Sequence, residues 1–84
     1  MGKYEKLILK ILSGQSDTNI PFDDLCNLLQ GTGFVMRIRR SHHVFRKEGI
    51  EEKINLQREG NNAKPYQVRQ VRYLILKYQL GGKP

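Results

Sequence analysis

The apolar residues of this 84-residue chain change their spacing twice, and those two changes fix the classes of fold open to it. Tyr4, Leu7, Ile8, Ile11 and Leu12 recur at helical intervals, and Gly14 closes that stretch. Gln15 to Asn19 has no period and reads as a polar loop. Pro21 suits a first helical turn, Asp23 and Asp24 complement the positive end of the helix dipole, and Phe22, Leu25, Cys26, Leu28 and Leu29 supply an apolar face up to Gly31 and Gly33. From Phe34 the period is two. Phe34, Met36 and Ile38 alternate with Val35 and Arg37; His43 and Phe45 share one face of the next segment, with His42, Val44 and Arg46 on the other. Glu48-Gly49 forms a turn, and Ile54 and Leu56 alternate with Lys53, Asn55 and Gln57. After a second polar turn at Glu59 to Asn62, the helical period returns at Pro65, with Val68, Val71, Leu74, Ile75 and Tyr78 in one stripe and Arg69, Arg72 and Lys77 largely elsewhere. Gly81 to Pro84 reads as a frayed tail.

The expected order is therefore helix, helix, three strands, helix: an α+β fold in which a three-stranded antiparallel meander carries helices on one face. The other face is left to solvent. A chain of this length makes one domain with a thin core. No internal repeat, linker or low-complexity segment is visible.

The charge is unevenly placed. The net charge is +7, yet residues 1–36 hold three bases and four acids while residues 37–84 hold twelve bases and four acids. Such a split is the electrostatic footprint of a polyanion partner. Cys26 stands alone, which precludes an intramolecular disulfide and fits a cytoplasmic protein. Lys3, Lys6 and Lys10 interrupt the first apolar stretch, so no signal peptide is expected, and no apolar run approaches the roughly 20 residues of a membrane span.

The two histidines are adjacent, His42 and His43, within a run containing Arg37, Arg39, Arg40, Arg46 and Lys47 and no acid. Imidazole exchanges protons near neutral pH. A proton-transfer group in a cationic groove suits cleavage of a phosphodiester polyanion, which makes RNA the leading substrate. Strand geometry separates the pair. Phe45 belongs with the core and takes His43 inward to a structural role, so His42 projects outward beside Arg46.

From Phe22 to Leu80 the chain resembles the HicA-type toxins, small ribonucleases of bacterial toxin–antitoxin pairs. The resemblance is carried by Leu25, Leu28, Leu29, Gly33-Phe34, Ser41-His42-His43-Val44-Phe45-Arg46, Ile54-Asn55-Leu56, Arg58, Gly60-Asn61, Lys64-Pro65 and the closing basic helix. It implies a fold like a double-stranded-RNA-binding domain (α-β-β-β-α), metal-independent mRNA cleavage, and neutralisation by a cognate HicB-like antitoxin. The family's catalytic histidine follows a serine, which maps onto His42. Residues 1–20 then form an N-terminal helical extension and loop, 22–80 the family-like core and 81–84 the tail. Three positions depart from the family pattern. Arg40 replaces a glycine before Ser-His, Gln57 a common proline, and Glu59 stands near a common basic or histidine position. If the turn at Arg40 requires positive φ, arginine is strained there.

Metal-free RNA cleavage needs a base for the 2′-hydroxyl, an acid for the 5′-oxygen and cations around the transition state. His42 is the expected general acid/base. Arg46 and Arg58 are expected at the phosphate, Ser41 as a hydrogen-bond partner, and Arg40, Lys64 and Arg69 as further RNA contacts. Metal binding is disfavoured, because adjacent strand histidines diverge and no carboxylate has ligand spacing to them. Ser41 lacks an acid to orient a histidine toward it, and Gly31-Thr32-Gly33 lacks a phosphate-loop pattern. A helix-turn-helix is disfavoured by the long loop from Ser13 to Ile20. The alternative from another class is a non-catalytic RNA-binding module on the same scaffold.

Overall fold

Residues 3–80 are described by the computed structural model; the tail expected at Gly81 to Pro84 lies outside them. Three helices and a three-stranded antiparallel sheet form where the periods place them: α1 Lys3–Ser13, α2 Phe22–Gly31, β1 Val35–Arg39, β2 His42–Lys47, β3 Ile50–Leu56 and α3 Pro65–Tyr78, with a small hairpin of β4 Arg58–Glu59 and β5 Asn62–Ala63 before α3. The main sheet runs in the order β1-β2-β3. No helix among the described residues is long and apolar enough to cross a membrane.

Parity along each strand decides what is buried. Phe45 and Ile54 are Cα partners, as are His43 and Leu56, so these four side chains share one face. Phe45, Ile54 and Leu56 are fully buried there, in one cluster with Phe22, Leu25, Leu28 and Leu29 of α2 and Val68, Val71 and Leu74 of α3. Ile8 and Ile11 of α1 enter the same cluster. The N-terminal helix, read from sequence as an extension, is thus packed into the common core. Cover is incomplete at the edge: Ile38, on the helix-facing side of β1, remains 58% exposed.

The residues from Glu59 to Asn62, read as a simple turn, are part of a hairpin. Gly60 at φ +64 lets β4 and β5 pair, and this annex holds the entry to α2: the Phe22 N–H donates to the Asn61 carbonyl, and the Ala63 N–H to the Ile20 carbonyl, both at 2.9 Å. Strands of two residues are too short to display a period, so alternation gave no sign of them.

Two ion pairs fasten α3. Arg72 donates to both carboxylate oxygens of Asp17 (2.8 and 3.1 Å) and, through Nη1, to the Ile11 carbonyl near the end of α1 (3.0 Å). It therefore ties α3 to α1 and to the loop after it. On β3, Glu52 accepts from Lys77 Nζ and Tyr78 Oη of α3, each at 2.7 Å. These bonds, with Lys77 first, hold the Glu52 carboxyl down at about 2, and the Arg72 hydrogen bonds hold Asp17 below its ordinary value. Folded-state depression means the unfolded chain binds protons first, so both contributions are whole above the unfolded values and vanish as pH falls. The melting midpoint is expected to fall between about pH 4.5 and pH 2 as Glu52 takes up its proton. Glu52→Gln lowers the midpoint at neutral pH and flattens that acid limb; an unchanged limb in circular-dichroism melts would remove Glu52 as its cause.

Candidate active site and nucleic-acid interface

The face of the sheet away from the helices carries the charge. Register places Arg39 opposite His42, Arg37 opposite Val44 and Val35 opposite Arg46, while Val44 faces Asn55 on β3 and Lys53 lies two residues before it on the same face. The result is a shallow trough of about 880 Å³ lined by Val35, Val44, the cations Arg37, Arg39, Arg46, Lys47 and Lys53, and one acid, Glu48. All of these cations but the half-buried Lys47 are exposed. Clustered positive side chains on one surface attract a polyanion and raise its local concentration.

His42 is exposed on the same face, outside the trough's lining, as the cross-strand neighbour of Arg39, which lines it. Its Nδ1 lies 3.1 Å from Asn55 Oδ1. An amide oxygen only accepts, so the contact assigns the hydrogen to Nδ1 and leaves the lone pair on Nε2, the atom free to take a proton. Beside it Gln57 Nε2 donates to Ser41 Oγ at 3.1 Å, and Lys64 Nζ donates to Gln57 Oε1 at 3.5 Å. His42 lines a second, smaller cleft between β3 and the start of α3, together with Lys53, Asn55, Gln57, Tyr66, Gln67 and Gln70.

The residues singled out from sequence divide accordingly. His42, Ser41 and Arg46 lie on or beside the open face, and Lys64 reaches it through Gln57. Arg40 occupies the two-residue loop joining β1 and β2 at φ +58, the left-handed region that sequence reasoning flagged as a strain. Arg58 is directed elsewhere: its Nη2 pairs with Asp23 of α2 at 2.6 Å, and its guanidinium lies 4.6 Å from the centroid of the Phe22 ring. Arg69 is exposed on α3 and near enough to Asp17 to help depress its pKa. Arg58 and Arg69 thus stand apart from the trough in this structure. Arg37, Arg39 and Lys53 line the trough, and Asn55 contacts His42. The signal for them was the same alternation that sends His42 outward, whereas closeness in sequence to the histidines or to a turn is no guide to the face.

The remaining reactive groups are structural. His43 packs edge-on against Phe22 with ring centroids 4.9 Å apart, and its buried Nδ1 has no hydrogen-bond partner. Burial pushes the Cys26 thiol up to about 11, so it holds its proton and is inert as a nucleophile. Among the described residues, no three His, Cys, Asp or Glu side chains come together in a metal-binding group.

No protein-family model, curated protein or solved structure matches the chain.

Proposed function

We propose that this chain is a HicA-like endoribonuclease, the toxin of a type II toxin–antitoxin pair, cleaving mRNA without a metal on a scaffold of the double-stranded-RNA-binding-domain kind. The observation that carries the reading is the placement of His42: solvent-accessible, hydrogen-bonded through Nδ1 to Asn55, and cross-strand from Arg39, one of five cations that line the trough. In this mechanism His42 Nε2 removes the 2′-hydroxyl proton of the bound ribose. The 2′-oxygen then bonds to phosphorus as the bond to the 5′-oxygen breaks, leaving a 2′,3′-cyclic phosphate. The departing 5′-oxygen takes its proton from water. Arg39 and Arg46, on either side of Val44 along the open face, neutralise the charge that builds on the phosphorane oxygens. The cognate HicB-like antitoxin follows from the family resemblance, and an acidic surface on that partner suits the same basic face.

The test is direct. Purified protein is expected to cleave RNA in the presence of EDTA, and its expression to arrest growth. RNA left intact after long incubation would remove the enzyme and leave the binding module.

That second reading is favoured by one feature, the positive φ of Arg40 beside Ser41-His42. A side chain in the left-handed region costs about 1 kcal/mol or more, partly offset on change to glycine by the greater freedom of the unfolded chain. Arg40→Gly is expected to raise the melting midpoint by a few degrees, since about 1 kcal/mol shifts a domain of this size by roughly 4–8 °C. Cleavage assays on the same variant separate the readings. Activity in both proteins supports the nuclease, activity in the glycine variant alone identifies a site damaged by Arg40, and none in either supports non-catalytic RNA binding.

A further inference from the structure

We propose that the cleft between β3 and the start of α3 is a subsite for one unpaired nucleobase, the base of a nucleotide adjoining the phosphate at His42. The proposal rests on the reading of the open face as RNA-binding and assigns to the RNA a feature that reading leaves open.

The two concavities share Lys53 and otherwise differ in chemistry. Guanidinium and ammonium groups outnumber the one acid, Glu48, in the trough, which suits phosphate. Besides His42 and Lys53, the cleft is lined by carboxamides, from Asn55, Gln57, Gln67 and Gln70, and by the ring of Tyr66. A carboxamide offers a donor and an acceptor side by side, which is the complement of a base edge. A volume of about 210 Å³ falls below the roughly 300–1,000 Å³ of sites for drug-sized ligands and suits one planar ring system rather than a base pair.

The orientation of these amides is already set by the protein. Gln67 is 1% exposed, the one buried polar residue among those described. Its Oε1 accepts from the Lys64 backbone N–H at 3.2 Å, capping the start of α3. Asn55 gives its Oδ1 to His42, which leaves its NH₂ free. Gln70 Nε2 reaches the Lys53 carbonyl at 3.4 Å, which leaves its Oε1 as an acceptor. A donor and an acceptor are therefore fixed before a ligand arrives. Tyr66, 57% exposed at the rim, offers a plate on which a base can stack. Because Asn55 holds His42 and also lines the cleft, a base seated there is coupled to the orientation of the imidazole.

The probes are AMP, CMP, GMP, UMP and inorganic phosphate, titrated separately while the side-chain NH₂ signals of Asn55 and Gln67 are followed by NMR. At least one nucleotide is expected to move both signals, and phosphate alone to move neither. Tyr66→Ala, an exposed substitution, is expected to weaken that nucleotide about tenfold, the scale of one lost base stack. Gln67→Leu is expected to remove discrimination among the four bases; Tyr66→Ala keeps the test valid if the leucine variant fails to fold. Nucleotides that act no differently from phosphate, or shifts confined to the trough, would overturn the subsite. Cleavage of RNA with no base preference would sink the subsite and spare the nuclease, whereas base-selective binding without cleavage would do the reverse.

Discussion

His42→Ala is expected to reduce RNA cleavage by about 10²–10⁴-fold, the usual contribution of one general acid–base group, while leaving a folded protein that still binds RNA. The imidazole is exposed on the open face, and its one hydrogen-bond partner, Asn55, is also exposed and returns to water when the ring is removed. Surface changes of this kind usually stay within about 0.5 kcal/mol of the parent. Binding persists because Arg37, Arg39, Arg46 and Lys53 are untouched. It should weaken with salt as parent binding does, since the slope counts phosphates neutralised. Asn55→Ala is expected to lie between the two in cleavage, because the ring remains but loses the partner that sets its tautomer. Single-turnover cleavage of a labelled RNA, with parallel binding isotherms, checks all three. Cleavage by His42→Ala within a few-fold of the parent would remove His42 from the chemistry.

Where local pattern determines structure, the sequence was readable. The change of period at Phe34 and its return at Pro65 mark the sheet, and side-chain parity around Phe45 separates an outward His42 from an inward His43. Contacts between distant segments left no such trace. Arg58 meets Asp23 across 35 positions and Arg72 meets Asp17 across 55, and neither partner is implied by spacing. Arg58 is the plainest case, since nothing local in a basic half signals that an aspartate at a helix start pairs with it. The same parity that found His42 also applied to Arg37, Arg39, Lys53 and Asn55, all outward residues of their strands. Ile38 was legible as to face but not as to burial, because no sequence period reveals that the helices stop short of β1.

Phe45→Ala is expected to be the most destabilising single change in the sheet, at about 3–5 kcal/mol, the range for truncating a buried phenylalanine. Its ring is fully buried, with Met36 of β1 on one side and Ile54 of β3 on the other as cross-strand partners, and it joins the cluster formed by α2 and α3. Alanine leaves a void that the flanking side chains fill only in part, so transfer and cavity terms add. Domains of this size stand near the low end of the roughly 5–15 kcal/mol that separates folded from unfolded chains. The loss therefore takes most of the margin. Phe45 also adjoins the register shift between Phe45 and Lys47, so its anchoring holds Arg46 on the outer face at that irregularity. RNA cleavage is thus expected to disappear along with the fold although no residue of the trough or of the His42 site has changed. Phe45→Leu, which retains most of the volume, should cost far less and keep activity. Urea unfolding of the two variants tests this: a midpoint for Phe45→Ala close to that of the parent would mean that the sheet is not held to the helices through this ring.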